Sequence, residues 1–217
     1  MSELFDEVDE DVRRDQLKKL WDQYSIYIIA GALLIIAAVG GWRSYQYLEA
    51  KKAAEAGAAF DKAVELAEQD KHSEAEAAFN TLAASAPPGY RMLARLRGAA
   101  EVASHDPQAA AKLYDEISAD RSVGASEREL AKVRAAGLLL ETASYPAMLE
   151  RLEAAAAPEA TFRHTARELL ALSAWRANDA TAARKWLDLI ANDGETPPSL
   201  RSRAEALQAL LPPVAKS

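Results

Sequence analysis

The feature that most constrains this chain of 217 residues is a run of twenty uncharged residues from Gln23 to Trp42. At a rise of about 1.5 Å per residue, a helix of this length spans about 30 Å, which is the thickness of the hydrocarbon core of a bilayer. Aromatic side chains near both ends suit the headgroup regions of a membrane, namely Trp21, Tyr24, Trp42 and Tyr45. The run therefore predicts a single transmembrane helix over residues 23–42.

Two other structures for this run have to be weighed. A helix buried in a soluble core is disfavoured, because no other segment is apolar enough to surround a helix that is apolar on every face. A cleaved signal peptide would begin with a short basic segment, whereas this chain has six acidic residues between Glu3 and Asp11. Ala38-Val39-Gly40 would serve as a cleavage tripeptide, so the signal peptide stays an alternative.

The basic residues that flank the run predict its orientation. Those before it are Arg13, Arg14, Lys18 and Lys19, and those after it are Arg43, Lys51 and Lys52. Because lysine and arginine favour the cytoplasmic side of a membrane, four against three places the N-terminus in the cytoplasm. We therefore expect residues 1–22 to form an acidic cytoplasmic tail, and the domain after the helix to lie on the other side.

Beyond the run, the composition indicates an all-α fold. Alanine, the best helix former, accounts for 49 of the 217 residues, and only 9 glycines and 9 prolines interrupt the chain. Asp106 followed by Pro107 is typical of a helix start, because the carboxylate caps the free N–H groups. Capping boxes are also predicted at Ser73 and Ser126, each with a glutamate three residues later.

The expected helix starts recur at a regular spacing. The second helices of successive pairs are expected near residues 73, 107, 146 and 180, at intervals of 34, 39 and 34 residues. A 34-residue helix–turn–helix period is the spacing of tetratricopeptide repeats. With an offset of 73, Leu113 corresponds to Trp186, Ala110 to Ala183 and Asp120 to Asp193. Since the full repeat consensus is absent, an irregular helical bundle is the alternative.

We therefore predict a single transmembrane helix followed by a tetratricopeptide-like solenoid of helix pairs. Residues 43–53 are expected to form a linker helix, residues 54–211 the repeat domain and residues 212–217 a tail. The repeat domain is expected to contain four pairs and a capping helix, over about 54–85, 88–119, 126–156, 159–192 and 199–211.

Several classes of chemistry are disfavoured. The chain has no cysteine, and its net charge of −7 argues against a protein that coats nucleic acid. The three histidines lack the spacing of a zinc site, and His72 and His105 are expected in exposed turns. No phosphate-binding glycine loop or nucleophile motif occurs. We predict no enzymatic activity, no metal, no cofactor and no small-molecule substrate.

The first helices of the pairs would line a surface that can bind a peptide. They carry the arginines of a predicted partner groove, which are Arg91, Arg95, Arg134, Arg163 and Arg167. The paired N–H donors of arginine suit the carboxylates of a protein partner. The alternative is a solvated face, because Glu101, Glu129 and Lys132 lie among these arginines.

The order of segments also carries a family resemblance. Leu20-Trp21 precedes the uncharged run, Gly41-Trp42-Arg43-Ser44-Tyr45 ends it, and a helix rich in lysine, alanine and glutamate leads into divergent helix pairs. In this order the chain resembles the bacterial ancillary secretion-translocon subunits, a family of tetratricopeptide-repeat-like inner-membrane proteins.

The resemblance implies a single-pass protein of the bacterial inner membrane with its repeat domain in the periplasm. It implies two protein partners, the secretion translocon and a membrane-bound periplasmic chaperone, besides the lipid bilayer. The expected function is that of an anchored interaction scaffold that assists the periplasmic chaperoning of exported proteins. The alternative is a factor that uses the same groove to organise envelope assembly or cell division.

Overall fold

The computed structural model describes the backbone of residues 3–212 and the side chains of residue 18 and of residues 21–212. Over this range the chain forms nine α-helices, one short 3-10 turn and no strand, so the predicted all-α fold class is confirmed. The side chains of most of the acidic tail, and the last five residues of the predicted C-terminal tail, lie outside the described residues.

Helix α1 is much longer than a membrane span and continues through residues 43–53. The helices are α1 (Glu3–Glu68), α2 (His72–Ser85), α3 (Pro88–Val102), α4 (Pro107–Ala119), α5 (Ala125–Leu139), α6 (Tyr145–Leu152), α7 (Arg163–Arg176), α8 (Ala180–Ala191) and α9 (Pro198–Leu210), with a 3-10 turn at Ala154–Ala156 after α6. The chain divides into two compact units, Met1–Ala54 and Glu55–Ser217.

Two helix starts in the second unit use the same cap. Asp106 accepts a hydrogen bond from the Ala109 backbone N–H at 2.9 Å, and Asp179 accepts one from the Ala182 N–H at 2.9 Å. Each aspartate thereby satisfies one of the free N–H groups in the first turn of α4 or α8. These two residues correspond at the offset of 73, so the repeat extends to the capping chemistry.

The predicted capping boxes at Ser73 and Ser126 are wrong. Helix α2 begins before Ser73, and helix α5 begins before Ser126, and neither start has a side-chain cap. Instead, Glu129 accepts a hydrogen bond from the backbone N–H of Phe162 at 3.1 Å, 33 residues along the chain. At the box predicted from Ser126, the glutamate therefore contacts a distant part of the chain rather than the start of its own helix.

The core of the second unit consists of three successive clusters of buried side chains. The first joins the end of α1 to α2 and α3, with the rings of Phe60 and Phe79 edge to face at 5.4 Å between centroids. The second joins α3, α4 and α5 around Tyr114 and Ile117. The third is the largest and joins α5 to α9. Helices pack mainly on their sequence neighbours, as in a solenoid.

Alanine allows the helices of the second unit to approach closely. Ala63, Ala75, Ala110, Ala131 and Ala183 have no exposed surface. A methyl group at these positions fills the space between two helices, whereas a larger side chain would force them apart. The high alanine content is therefore a packing requirement as well as a helix preference.

Candidate functional site

The first candidate surface is the apolar part of α1. Its most apolar window has a mean hydropathy of 2.1, and no part of that window is buried within the protein. The four aromatic residues near the ends of the run, Trp21, Tyr24, Trp42 and Tyr45, are all exposed. By length and composition this helix can cross a membrane, and it is compatible with a single-pass anchor or with a signal sequence.

The second candidate surface is the predicted arginine groove, and its members make contacts inside the repeat domain. Arg95 Nη1 donates a hydrogen bond to Asp120 Oδ2 at 2.6 Å. The hydroxyl and the backbone N–H of Ser122 also donate to Asp120. The bond from the Ser122 hydroxyl, then those from Arg95 and from the Ser122 N–H, lower the pKa of that carboxyl to about 2. The pair ties α3 to the residue that follows α4.

Arg163 and Arg167 of α7 converge on Asp193, just after α8. The Nε of Arg163 and the Nη1 of Arg167 each donate to Asp193 Oδ2 at 2.9 Å. Arg167 is only 3% exposed, and its Nε also donates to the carbonyl oxygen of Ala156 at 3.0 Å. The bond from Arg163 is the main reason why the pKa of Asp193 lies well below its ordinary value, and burial opposes this effect.

The other two predicted groove residues also have acceptors in the repeat domain. Arg91 donates from Nε and Nη2 to the carbonyl oxygen of Ala86, at the end of α2. Arg134 Nη1 is 3.4 Å from the hydroxyl oxygen of Tyr114. Each of the five arginines therefore contacts an acceptor within the repeat domain. Binding of a partner by these arginines stays a prediction.

The three histidines differ in their surroundings. His72 is the first residue of α2 rather than a turn residue, and its Nδ1 lies 2.8 Å from the nearly buried carboxylate of Glu101. The Nδ1 of His164 lies 3.2 Å from Thr196 Oγ1, which donates its own proton to the Ile190 carbonyl oxygen. Burial, and then the charge of Arg163, lower the pKa of His164. Among the described residues, no group of acidic and histidine side chains could hold a metal ion.

An apolar cleft of about 710 Å³ lies between α3 and the connection from α4 to α5. Its lining includes Tyr90, Met92, Leu93, Leu96 and Val123, with two of the predicted groove arginines, Arg91 and Arg95. Leu93 is 48% exposed. The structure thus brings two of the five arginines together beside an apolar surface, which suits a peptide with apolar side chains.

A smaller cleft of about 260 Å³ lies between the end of α4, helix α5 and the 3-10 turn. Arg128, Lys132, Glu129, Ser118, Ala154 and Ala155 line it, and we call it the cationic cleft. The predicted partner groove does not include Arg128, and Lys132 belongs only to the alternative of a solvated face. Their spacing of four residues indicates that the two cations share one face of α5. The other wall of the cleft comes from the 3-10 turn, which is distant in the sequence, so the cleft itself could not be predicted from this spacing.

The repeat architecture agrees with a comparison to known families. A family model described as a tetratricopeptide repeat-like domain matches residues 18–185, which is more than half of the chain and includes the apolar run. No curated protein and no solved structure matches the chain. Domains of this kind are typically protein-binding scaffolds without catalytic activity. The chain belongs to the tetratricopeptide repeat-like domain family.

Proposed function

We propose that this protein is a membrane-anchored interaction scaffold, an ancillary subunit of the secretion translocon that assists the periplasmic chaperoning of exported proteins. The observation that carries the proposal is the combination, in one chain, of an apolar helical segment that the protein does not bury and a repeat-like domain. The family match begins at residue 18 and so spans both parts. Its protein partners would be the translocon and a membrane-bound periplasmic chaperone.

The apolar surface of α1 supports the anchor. Side chains such as Leu34, Ile36 and Val39 are more than half exposed, and leaving a surface of this kind in water is unfavourable. A bilayer would cover it, with the aromatic residues at the headgroup regions. We place the protein in the bacterial inner membrane as a single-pass protein, with the N-terminus in the cytoplasm and the repeat domain in the periplasm.

The titratable groups of the repeat domain support a scaffold rather than an enzyme. The two carboxyls with strongly lowered pKa values, Asp120 and Asp193, owe the shifts to hydrogen bonds from Ser122 and from arginines that join neighbouring helices. Structural ion pairs shift pKa values just as active sites do. Here the shifted groups hold helices together.

The anchor and its orientation can be tested in membranes of bacterial cells that express the full chain with an epitope at each end. We expect both epitopes to stay in the pellet after alkaline carbonate extraction. Protease added to spheroplasts should remove the C-terminal epitope and leave the N-terminal one. Loss of the N-terminal epitope during maturation would instead identify a signal peptide, and protection of the C-terminal epitope would contradict the orientation.

The partner can be tested with a photo-reactive residue at the exposed Leu93 of the apolar cleft. A control with the same residue at Ala206, exposed on α9, reports random collisions. We expect a translocon subunit or a periplasmic chaperone to be cross-linked from Leu93 and not from Ala206. If proteins of envelope assembly or division were cross-linked instead, the translocon assignment would be wrong and the alternative would hold.

A further inference from the structure

The side chains of two cations in the cationic cleft lack an acceptor in the part of the chain that the structure describes. Arg128 and Lys132 lie one turn apart on α5, and each is partly buried. Neither side chain makes a hydrogen bond or ion pair with any described residue, and Arg128 Nε is shielded from solvent with no acceptor. The side chains of Arg128 and Lys132 line the cleft and keep N–H donors that no described residue uses. A ligand oxygen that enters the cleft can accept hydrogen bonds from these donors.

The other polar groups near the cleft already have partners. Glu129 accepts the Phe162 N–H, and Ser118 donates its hydroxyl to the Asp115 carbonyl oxygen at 2.9 Å. The Asp115 carboxylate is bound by Arg151 through two hydrogen bonds. The cleft thus offers unused donors, in contrast to the predicted groove arginines, which all have acceptors.

We propose that the cationic cleft binds the carboxylate side chain of an aspartate or glutamate of a protein partner. This inference rests on the proposed scaffold function, because it names the chemistry by which the scaffold recognises a partner. Arg128 can donate two hydrogen bonds to the carboxylate, and the Lys132 ammonium can contact it from the next turn.

The size and charge of the cleft select this ligand. Its volume of about 260 Å³ is below the 300–1,000 Å³ that is usual for small-molecule sites, so it fits one side chain better than a free metabolite. Two cations and the Glu129 carboxylate give a net charge of about +1. A carboxylate with one negative charge neutralises that charge, whereas a doubly charged phosphate would leave an uncompensated negative charge in the cleft.

The test uses the full chain in non-ionic detergent and a fluorescein-labelled peptide of alternating alanine and glutamate. The cleft variant carries Arg128→Gln and Lys132→Gln. The control variant carries Lys112→Gln and Arg121→Gln, which removes the same charge from exposed positions outside the cleft. Fluorescence anisotropy gives the dissociation constant, and circular dichroism checks that both variants stay folded.

We expect the dissociation constant to rise about tenfold in the cleft variant and less than about twofold in the control. Binding should weaken as salt increases, and the matched alanine–glutamine peptide should not bind. Lys132→Arg, which keeps the charge, should retain most of the affinity. If the double variant unfolds, the comparison of Lys132→Gln with Lys132→Arg replaces it.

Three results would overturn the inference. Equal losses in the cleft and control variants would mean attraction by net charge alone. An unchanged dissociation constant in the cleft variant would place the peptide elsewhere. Stronger competition by inorganic phosphate than by glutarate would make the cleft a phosphate site. None of these results alters the cross-linking from Leu93 or the membrane extraction, so failure of the inference is distinguishable from failure of the proposed function.

Discussion

The second and fourth helix pairs correspond along the repeat, but they differ in how deeply their ion pairs are buried. Asp120 and Asp193 occupy equivalent positions after α4 and α8. The Arg95 and Asp120 side chains are 28% and 31% exposed, whereas those of Arg167 and Asp193 are 4% and 17% exposed. Since solvent screens exposed charges, the same chemistry should contribute more to stability in the fourth pair than in the second.

The two pairs also differ at the position of the large apolar residue in their second helices. Trp186 of α8 is 7% exposed, and its indole N–H donates to the Tyr145 hydroxyl at 3.0 Å. The equivalent Leu113 of α4 is 37% exposed. The repeat correspondence treated these positions as alike, and the structure buries only one, because the largest core cluster forms around α7 and α8. Sequence equivalence therefore does not guarantee equal burial.

The largest expected effect is that of Trp186→Ala. Removing a buried aromatic side chain should lower the free energy of unfolding by about 3–5 kcal/mol. Leu113→Ala at the equivalent position should cost less, about 1 kcal/mol, because this side chain is 37% exposed and lies outside the buried core clusters. Chemical denaturation of both variants, followed by circular dichroism at 222 nm, measures the difference. Similar losses in the two variants would contradict the contrast between the pairs.

Asp193→Asn is expected to have the next largest effect. It keeps the size of the side chain but leaves the buried Arg167 guanidinium without its anionic partner, which should cost about 2–3 kcal/mol. The matched change Asp120→Asn in the second pair should lower the melting temperature by a smaller amount, because solvent reaches Arg95. If Asp120→Asn destabilised the protein as strongly as Asp193→Asn, burial would not be the deciding variable.

The smallest expected effect is a pH dependence that comes from His164. Because burial lowers its pKa in the folded state, the unfolded state takes up the proton first as the pH falls through about 6.5. Stability should therefore decrease between about pH 7 and pH 5. His164→Gln should remove this part of the decrease, as measured by melting temperatures across the range. If the melting temperatures of wild type and variant fell equally between pH 7 and pH 5, His164 would not be the cause of the decrease.

A separate decrease is expected in acid. The pKa values of Asp120, about 2, and of Asp193, still lower, lie below the ordinary value of a carboxyl. Their stabilisation is therefore complete above about pH 4 and is lost as the pH falls toward the folded-state values. His164→Gln should leave this loss of stability below about pH 4 unchanged, and Asp120→Asn should make the loss smaller.

The parts of the fold that could be predicted depend on short-range chemistry. Alanine content and helical periodicity indicated the all-α class. The cap predicted at Asp106 is confirmed, because the carboxylate that accepts and the Ala109 N–H that donates are only three residues apart. The caps predicted at Ser73 and Ser126 do not form, because α2 and α5 each begin one residue before the serine. Glu129, which was expected to complete the cap at Ser126, contacts Phe162 instead.

The candidate sites were harder to predict because their contacts join distant parts of the chain. Asp193 contacts arginines 26 and 30 residues away, and Arg151 contacts Asp115 across 36 residues. No local pattern tells which arginine of a helix will meet a carboxylate and which will stay unpaired. Arg95 and Arg167 contact carboxylates, whereas Arg128 contacts none among the described residues, and only the packing of distant segments separates these cases.

By itself, the sequence determined the helical class, the apolar run and the period of the helix pairs, because backbone hydrogen bonding and hydrophobic patterning act within a few residues. Only the tertiary structure decided which charges neutralise one another and which stay available in a cleft. The pairing depends on which side chains the helix pairs bring within about 3–4 Å of one another. At that distance the partial exclusion of water strengthens the interaction between two charges.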